Sequence, residues 1–153
     1  MRLSDCHNFR DFRELARRRL PGPIFNYIDG AADDETTYRR NTAGFERCDL
    51  VPNILRGAAE VDLAVNVMGQ KLALPVYCSP TALQRLFHHT GERAVAAAAA
   101  KYGTLFGVSS LGTVGLEELR KAYATPQTYQ FYFHKDRGLN RAMMQREIGR
   151  AHV

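Results

Sequence analysis

From residue 72 onward, short apolar runs alternate with helical stretches, and this alternation constrains the fold more than any other feature of the sequence. Leu74 to Ser79 reads as a buried strand, Gly91 to Tyr102 as an alanine-rich helix closed by Gly103, and Thr104 to Ser109 as a second strand. Leu116 to Tyr123 follows as a helix, Thr128 to His134 as a third strand, and Arg137 onward as a further helix. The strand starts near 74, 104 and 128 lie about 30 and 24 residues apart, the length a parallel strand needs for its crossover helix. The order βαβαβα therefore predicts an α/β protein with a parallel sheet.

The first part of the chain has another character. Phe9, Phe12, Leu15 or Ala16, and Leu20 recur at three-to-four-residue spacing after Ser4 and Asp5, and Pro21-Gly22-Pro23 ends that amphipathic helix. A second helix is expected from Pro23 through Ile24, Tyr27 and Ile28 to Asp29-Gly30, and a third from Asp33 to Ala43. Val61 to Val67 alternates at period two, and Met68 to Lys71 supplies a turn before Leu72, which predicts a small hairpin. The expected organisation is thus residues 1–71 as helices and hairpin, 72–146 as three βα units, and 147–153 as a tail.

An open doubly wound sheet and a closed barrel both start this way. The dinucleotide-binding version of the open sheet wants G-x-G-x-x-G after its first strand, but Ser79 to Gly91 holds one glycine, at its end. Polar groups instead stand where the strands finish, at Ser79 to Ala82, Ser109-Ser110 and His134, which is where barrels gather ligands. Three strands cannot close a barrel that uses eight in roughly 250 residues. The expected fold is therefore the N-terminal part of a (β/α)8 TIM barrel, incomplete and preceded by short helices.

Within Tyr129 to His134, positions 130, 132 and 134 would share one polar face of a strand. Such a face serves either as a hydrogen-bonded layer inside a barrel or as a binding surface, and the strand by itself does not choose. Ser109 and Ser110 suit a helix-capping turn as well as a ligand contact. In Pro80-Thr81-Ala82, proline fixes the exit of the chain and small residues leave amides uncovered for a flat ligand. Tyr27 on a short helix is ordinarily a core residue, and Asp29-Gly30 ordinarily a turn.

Taken together, these pieces resemble the FMN-dependent α-hydroxy acid dehydrogenases and oxidases, which include L-lactate dehydrogenase, glycolate oxidase and flavocytochrome b2. The landmarks run in family order: Tyr27-Ile28-Asp29-Gly30-Ala31-Ala32-Asp33 with Asn41, then Leu74-Pro75-Val76 leading to Pro80-Thr81-Ala82. Gly91-Glu92, Ser109-Ser110, Glu117-Glu118 and Tyr129-Gln130-Phe131-Tyr132 with Lys135-Asp136-Arg137 complete the series. The resemblance implies FMN as cofactor and a small L-2-hydroxy acid, lactate first, as substrate, with quinone, cytochrome or oxygen taking the electrons. It implies that the backbone of Pro80, Thr81 and Ala82 lines the flavin and that Ser109 and Gln130 hydrogen-bond it. Tyr27 and Tyr132 match the family tyrosines that meet the substrate's carboxylate and reacting oxygen. Leu111 stands where some members carry tryptophan, and Ala31 replaces a common glycine. The family's lysine, histidine base, carboxylate-binding arginine and phosphate loop belong to later strands, so no catalytic residue is expected within these 153 residues. An inactive fragment is the expectation, and a homo-oligomer is expected of the full-length form.

Charge and cysteine usage bear on the alternatives. Net charge is +5, but residues 1–50 hold nine basic and nine acidic side chains, and Arg17-Arg18-Arg19 lies in that balanced part beside Asp11 and Glu14. A solvated helix face accounts for the run, so no nucleic-acid partner is expected; a basic nucleic-acid module or a non-catalytic interaction piece with exposed strand edges stands as the alternative. Cys6, Cys48 and Cys78 form no C-x-x-C pair and read as reduced thiols, and the five histidines lack metal-ligand spacing, so no metal is expected. The longest uniform apolar run, Ala94 to Ala100, has seven residues, far short of a membrane helix. A cytoplasmic location, or a peripheral one at the inner membrane face, is expected. Finally, Glu147-Ile148-Gly149-Arg150-Ala151-His152-Val153 reads as one frame of a common sequencing adapter, and glycine should break the helix there. This tail is expected to be non-native, with the gene continuing, and a genuine stop codon after Val153 in genomic DNA would refute that.

Overall fold

A computed structural model describes residues 2–55, 57 and 59–148 of the chain. The chain forms two compact units, divided between Glu60 and Val61.

In the first unit a 3₁₀ turn at Leu3–Asp5 precedes helix α1 (Phe9–Arg19), α2 (Gly22–Asp29) and α3 (Thr36–Phe45). The start of α1 is set by Asn8, whose side-chain oxygen accepts from the Asp11 amide at 3.1 Å. Arg17, Arg18 and Arg19 fill its last turn, where cations suit the helix dipole, and Glu14 binds Arg17 and Arg18, both at 2.8 Å. The triple arginine is thus a solvated helix face, as its spacing indicates. These two arginines hold the Glu14 carboxyl well below its ordinary range, at about 2. The expected apolar stripe is only partly used: Leu15 is buried, whereas Phe9 is 81% exposed. Helix α3 starts later than Asp33 because Asp33 and Glu35 adopt left-handed backbone, φ +47° and +55°, which no α-helix continues.

The second unit opens with the expected hairpin, in shorter form: β1 (Val65–Val67) pairs antiparallel with β2 (Gln70–Leu72). Met68 and Gly69, at φ +50° and +74°, make the two-residue turn whose hand matches strand twist. After it come α4 (Gln84–Phe87), α5 (Glu92–Tyr102), β3 (Phe106–Ser109), α6 (Leu116–Ala122), β4 (Gln127–Gln130) and α7 (Arg137–Ile148). Strands β3 and β4 are parallel, in the register Phe106↔Gln127 through Ser109↔Gln130. Gly103, at φ +63°, ends α5 in the left-handed conformation glycine tolerates best.

Two expected strands are corrected. Residues 74 to 79 form no regular strand, but run beside β3 with one parallel bridge, Cys78↔Phe106. Pro75 and Pro80 lack amide donors, and the Thr104 hydroxyl takes the Val76 carbonyl that a ladder amide would otherwise use. The segment is also not buried throughout: Val76 and Tyr77 are exposed. The strand expected over Thr128 to His134 ends at Gln130, so 130, 132 and 134 do not share a strand face. Beyond Gln130 the chain turns into a loop locked by Asn140, whose amide accepts from the His134 N–H and donates to the His134 carbonyl, both at 2.8 Å. The helix break expected at Gly149 lies outside the described residues, and α7 continues through Ile148.

The core sits between the strands and the two helices that cross them. Ala96, Ala99, Phe106, Val108, Val114 and Leu119 are all buried, and Cys78, Val95, Leu116, Tyr123 and Tyr129 pack around them. Alanine on the buried side of α5 lets the helix lie close to β3. Complete burial of a side chain such as Phe106 or Leu119 is worth about 1.5–3 kcal/mol. The result is a partial α/β fold: the segment at Cys78, β3 and β4 lie side by side and parallel, and the described residues form no closed barrel. Among the described residues, no helix is long and apolar enough to cross a membrane, and the three cysteines are free thiols.

Candidate functional site

Parallel strands deliver their following loops to one edge of a sheet, and three loops meet that condition here: 79–83, 109–113 and 131–136. Ser109 and Gln130 close β3 and β4 as register partners. Their side chains also meet: the Ser109 hydroxyl donates to Gln130 Oε1 at 3.3 Å, and the Ser110 hydroxyl to the same oxygen at 3.4 Å. Ser109 Oγ accepts from the Leu111 amide at 3.2 Å, which curls the loop back over the strand end. With the carbonyl so occupied, the Gln130 Nε2 donors take no hydrogen-bond partner among the described residues. They remain available to a ligand acceptor.

The first loop is pressed against this pair. A Cβ on Gly107 would lie 2.7 Å from Pro80 Cδ and 2.9 Å from Pro80 N, so glycine is what allows the chain to leave Cys78 so near β3. The Leu83 amide donates to the Leu111 carbonyl at 3.1 Å, joining the first loop to the second. Between Pro80 and Leu83, the Thr81 and Ala82 amides have no acceptor among the described residues. Of the sequence-derived cofactor residues, Pro80, Thr81, Ala82, Ser109 and Gln130 therefore gather at one edge. Two unused backbone donors and an amide with free N–H groups fit the rim of a flat heterocycle with carbonyl and imine acceptors. The donor set fits a flavin.

The two tyrosines are placed differently. Tyr132 is 57% exposed in the loop after β4, two residues past Gln130. Tyr27 belongs to α2 in the first unit and is 65% exposed, so neither is the core residue that an isolated tyrosine usually is. Near Tyr27 the backbone is anchored by an ion pair: Arg13 Nε lies 2.5 Å from Asp29 Oδ1 and its Nη2 2.7 Å from Oδ2. This two-point grip lowers the Asp29 carboxyl below its usual range and fixes the end of α2 to α1.

Three residues beside the site were not singled out for a role from sequence: Gly107, Glu92 and Thr113. Glu92 is completely buried, and both its oxygens are taken by Thr113, Oε1 by the amide at 2.7 Å and Oε2 by the hydroxyl at 2.6 Å. A signal for it existed, since Glu92, Ala96 and Ala99 recur at helical spacing on the face that packs inward.

A parallel α/β edge with donors suited to a flavin is consistent with a flavoprotein, and comparison with known sequences identifies the family. Residues 16–150 match the family described as FMN-dependent dehydrogenase, and the chain belongs to that family. Its cofactor is FMN. Relatives include an L-lactate oxidase from Nostoc, 41% identical over an alignment of 148 residues that covers 94% of this chain and 40% of the relative. An L-lactate dehydrogenase from Pectobacterium atrosepticum is 39% identical, over 89% of this chain and 35% of the relative. Among solved structures, a mandelate oxidase superposes with TM-score 0.84 at 33% identity, over 92% of this chain and 42% of the other. A Pediococcus acidilactici protein described as a putative lactate oxidase gives 0.87 at 29%, over 95% and 41%. The chain thus spans about two fifths of the length of these relatives.

Proposed function

We propose that this chain is the flavin-platform portion of an FMN-dependent L-2-hydroxy acid oxidoreductase acting on L-lactate, its strands being the first of a (β/α)8 barrel. The observation that carries the reading is the Ser109–Gln130 pair, with its open Nε2 donors, set beside the unused Thr81 and Ala82 amides. These groups would hold the isoalloxazine edge against the strand ends and keep it in one orientation. When bound, FMN supplies a two-electron acceptor. The hydroxy acid loses two electrons and two protons, one from the α-carbon and one from its hydroxyl, to give the 2-oxo acid. Quinone, cytochrome or oxygen then takes the electrons.

Tyr132, in the loop after β4, would present a phenolic O–H, a neutral donor that orients a carboxylate and supports charge developing on a reacting oxygen, and Tyr27 on α2 carries the same chemistry. Both are accessible, which such a role requires. In this reading no group among these 153 residues removes the α-proton, and a base and a cationic partner for the carboxylate would be supplied from elsewhere in the enzyme. The 153-residue chain is therefore expected to be inactive and to hold no FMN stably. The test is lactate-dependent dye reduction and flavin content, measured on this chain and on a product carried to the length of its relatives. The longer product should be yellow and active and the shorter neither. Turnover by the 153-residue chain would overturn the division of roles.

A further inference from the structure

We infer that Glu92 is a positioning residue, which holds the two loops of the flavin platform in register with each other; the role rests on the flavin reading above. Glu92 begins α5, on none of the strand ends that bear the platform, yet its carboxylate is fully buried. Burying a carboxylate is unfavourable unless its oxygens are well bonded. Here the bonds come from Thr113, and neither is from a cation. Core stability would be served as well by the alanines that occupy the same helix face at 96 and 99. What the carboxylate adds is a connection.

The connection has three links. Thr113 is fixed by Glu92 through both its amide and its hydroxyl. Because that hydroxyl proton points to the carboxylate, the lone pairs of Oγ1 face away, and the Arg85 amide donates to one at 3.2 Å. Loop 109–113 is thereby tied to the segment following Pro80-Thr81-Ala82, and the Leu83 amide reinforces the tie through the Leu111 carbonyl. Gly112 makes room for the arrangement: a Cβ there would sit 3.0 Å from the Ser109 carbonyl oxygen and 3.5 Å from Glu92 Oε1. One carboxylate therefore sets the separation between the open amides at Thr81 and Ala82 and the hydroxyl of Ser109, without touching either.

Backbone amide hydrogen exchange on the isotopically labelled 153-residue chain tests this. In Glu92→Ala, exchange at Leu83, Arg85 and Thr113 should rise at least tenfold, while Phe106 and Val108 in β3 stay within twofold of the parent. Glu92→Gln, whose carbonyl still accepts from the Thr113 amide, should restore most of the protection at Thr113. Thr113→Val, the gentler variant should Glu92→Ala not fold, should release Arg85 selectively. Equal acceleration of loop and strand amides would mean that Glu92 serves stability alone, and no acceleration would mean that it ties nothing; either overturns the proposal. The flavin reading fails separately, on a colourless longer product, whatever the exchange rates show.

Discussion

Ser109 and Gln130 face each other twice, once through the backbone register of β3 and β4 and once through a side-chain hydrogen bond of 3.3 Å. The strand pairing sets the distance at which the hydroxyl finds the amide, so the sheet itself builds this part of the site.

Replacing Gln130 with leucine should separate binding from folding. The bonds lost to Ser109 and Ser110 are partly exposed, so the cost in stability should be about 1 kcal/mol by urea denaturation. In a product of full relative length, the same change should weaken FMN retention at least tenfold, read by flavin fluorescence after dialysis. Unchanged retention would remove Gln130 from the flavin edge.

Gly107→Ala should be among the worst single-methyl additions available. The new carbon would lie under 3.0 Å from both Pro80 Cδ and Pro80 N, and the second of these is backbone that cannot rotate away. An overpacking cost of about 1–3 kcal/mol is expected, seen as a lowered thermal midpoint. Gly44→Ala, which meets nothing within 4 Å, is the matched control and should be neutral or stabilising.

Truncating Leu119 to alanine removes a fully buried side chain from the cluster around Phe106 and should cost about 2–5 kcal/mol. Chemical denaturation should show a lower midpoint at unchanged slope. A loss under 1 kcal/mol would mean that α6 does not pack on β3 in solution.

Acid should loosen the first unit through Asp29. Its folded carboxyl titrates below the ordinary value of 3.8 because Arg13 binds the charged form. The pair therefore contributes fully above that value, and its contribution disappears as pH falls through the lowered folded value. Carboxyl-carbon NMR should show Asp29 titrating late, and Arg13→Ala should return its midpoint to the ordinary range. An unshifted midpoint in the parent chain would contradict the ion pair.

Helices with strong punctuation were legible in the sequence. Pro21-Gly22-Pro23 separated α1 from α2, and the alanine run with glycine at each end gave α5 within a residue. The parallel β3–β4 pair followed from spacing and composition. Residues 74 to 79 were overread because apolar composition reports burial potential and not ladder bonds, which two prolines and the Thr104 hydroxyl disrupt. The face shared by 130, 132 and 134 failed because period-two reasoning assumes that the strand persists, whereas Asn140, six residues past His134, closes a loop there instead. At the candidate site, family resemblance singled out Pro80, Thr81, Ala82, Ser109 and Gln130, and the structure sets them along one sheet edge. Glu92 as a tie was not, since its meaning depends on Thr113, 21 residues away.

The side-by-side arrangement at β3 also bears on how such a sheet lengthens. Ser109 finds Gln130 across 21 residues of chain, and Thr104 finds Val76 across 28. Closing loops of those two lengths differs in entropy by only about 0.3 kcal/mol. These two closures therefore cost nearly the same, whichever turns and helix lie between. Neighbouring strand ends can thus differ in what they present with little change in the entropy of bringing the strands together.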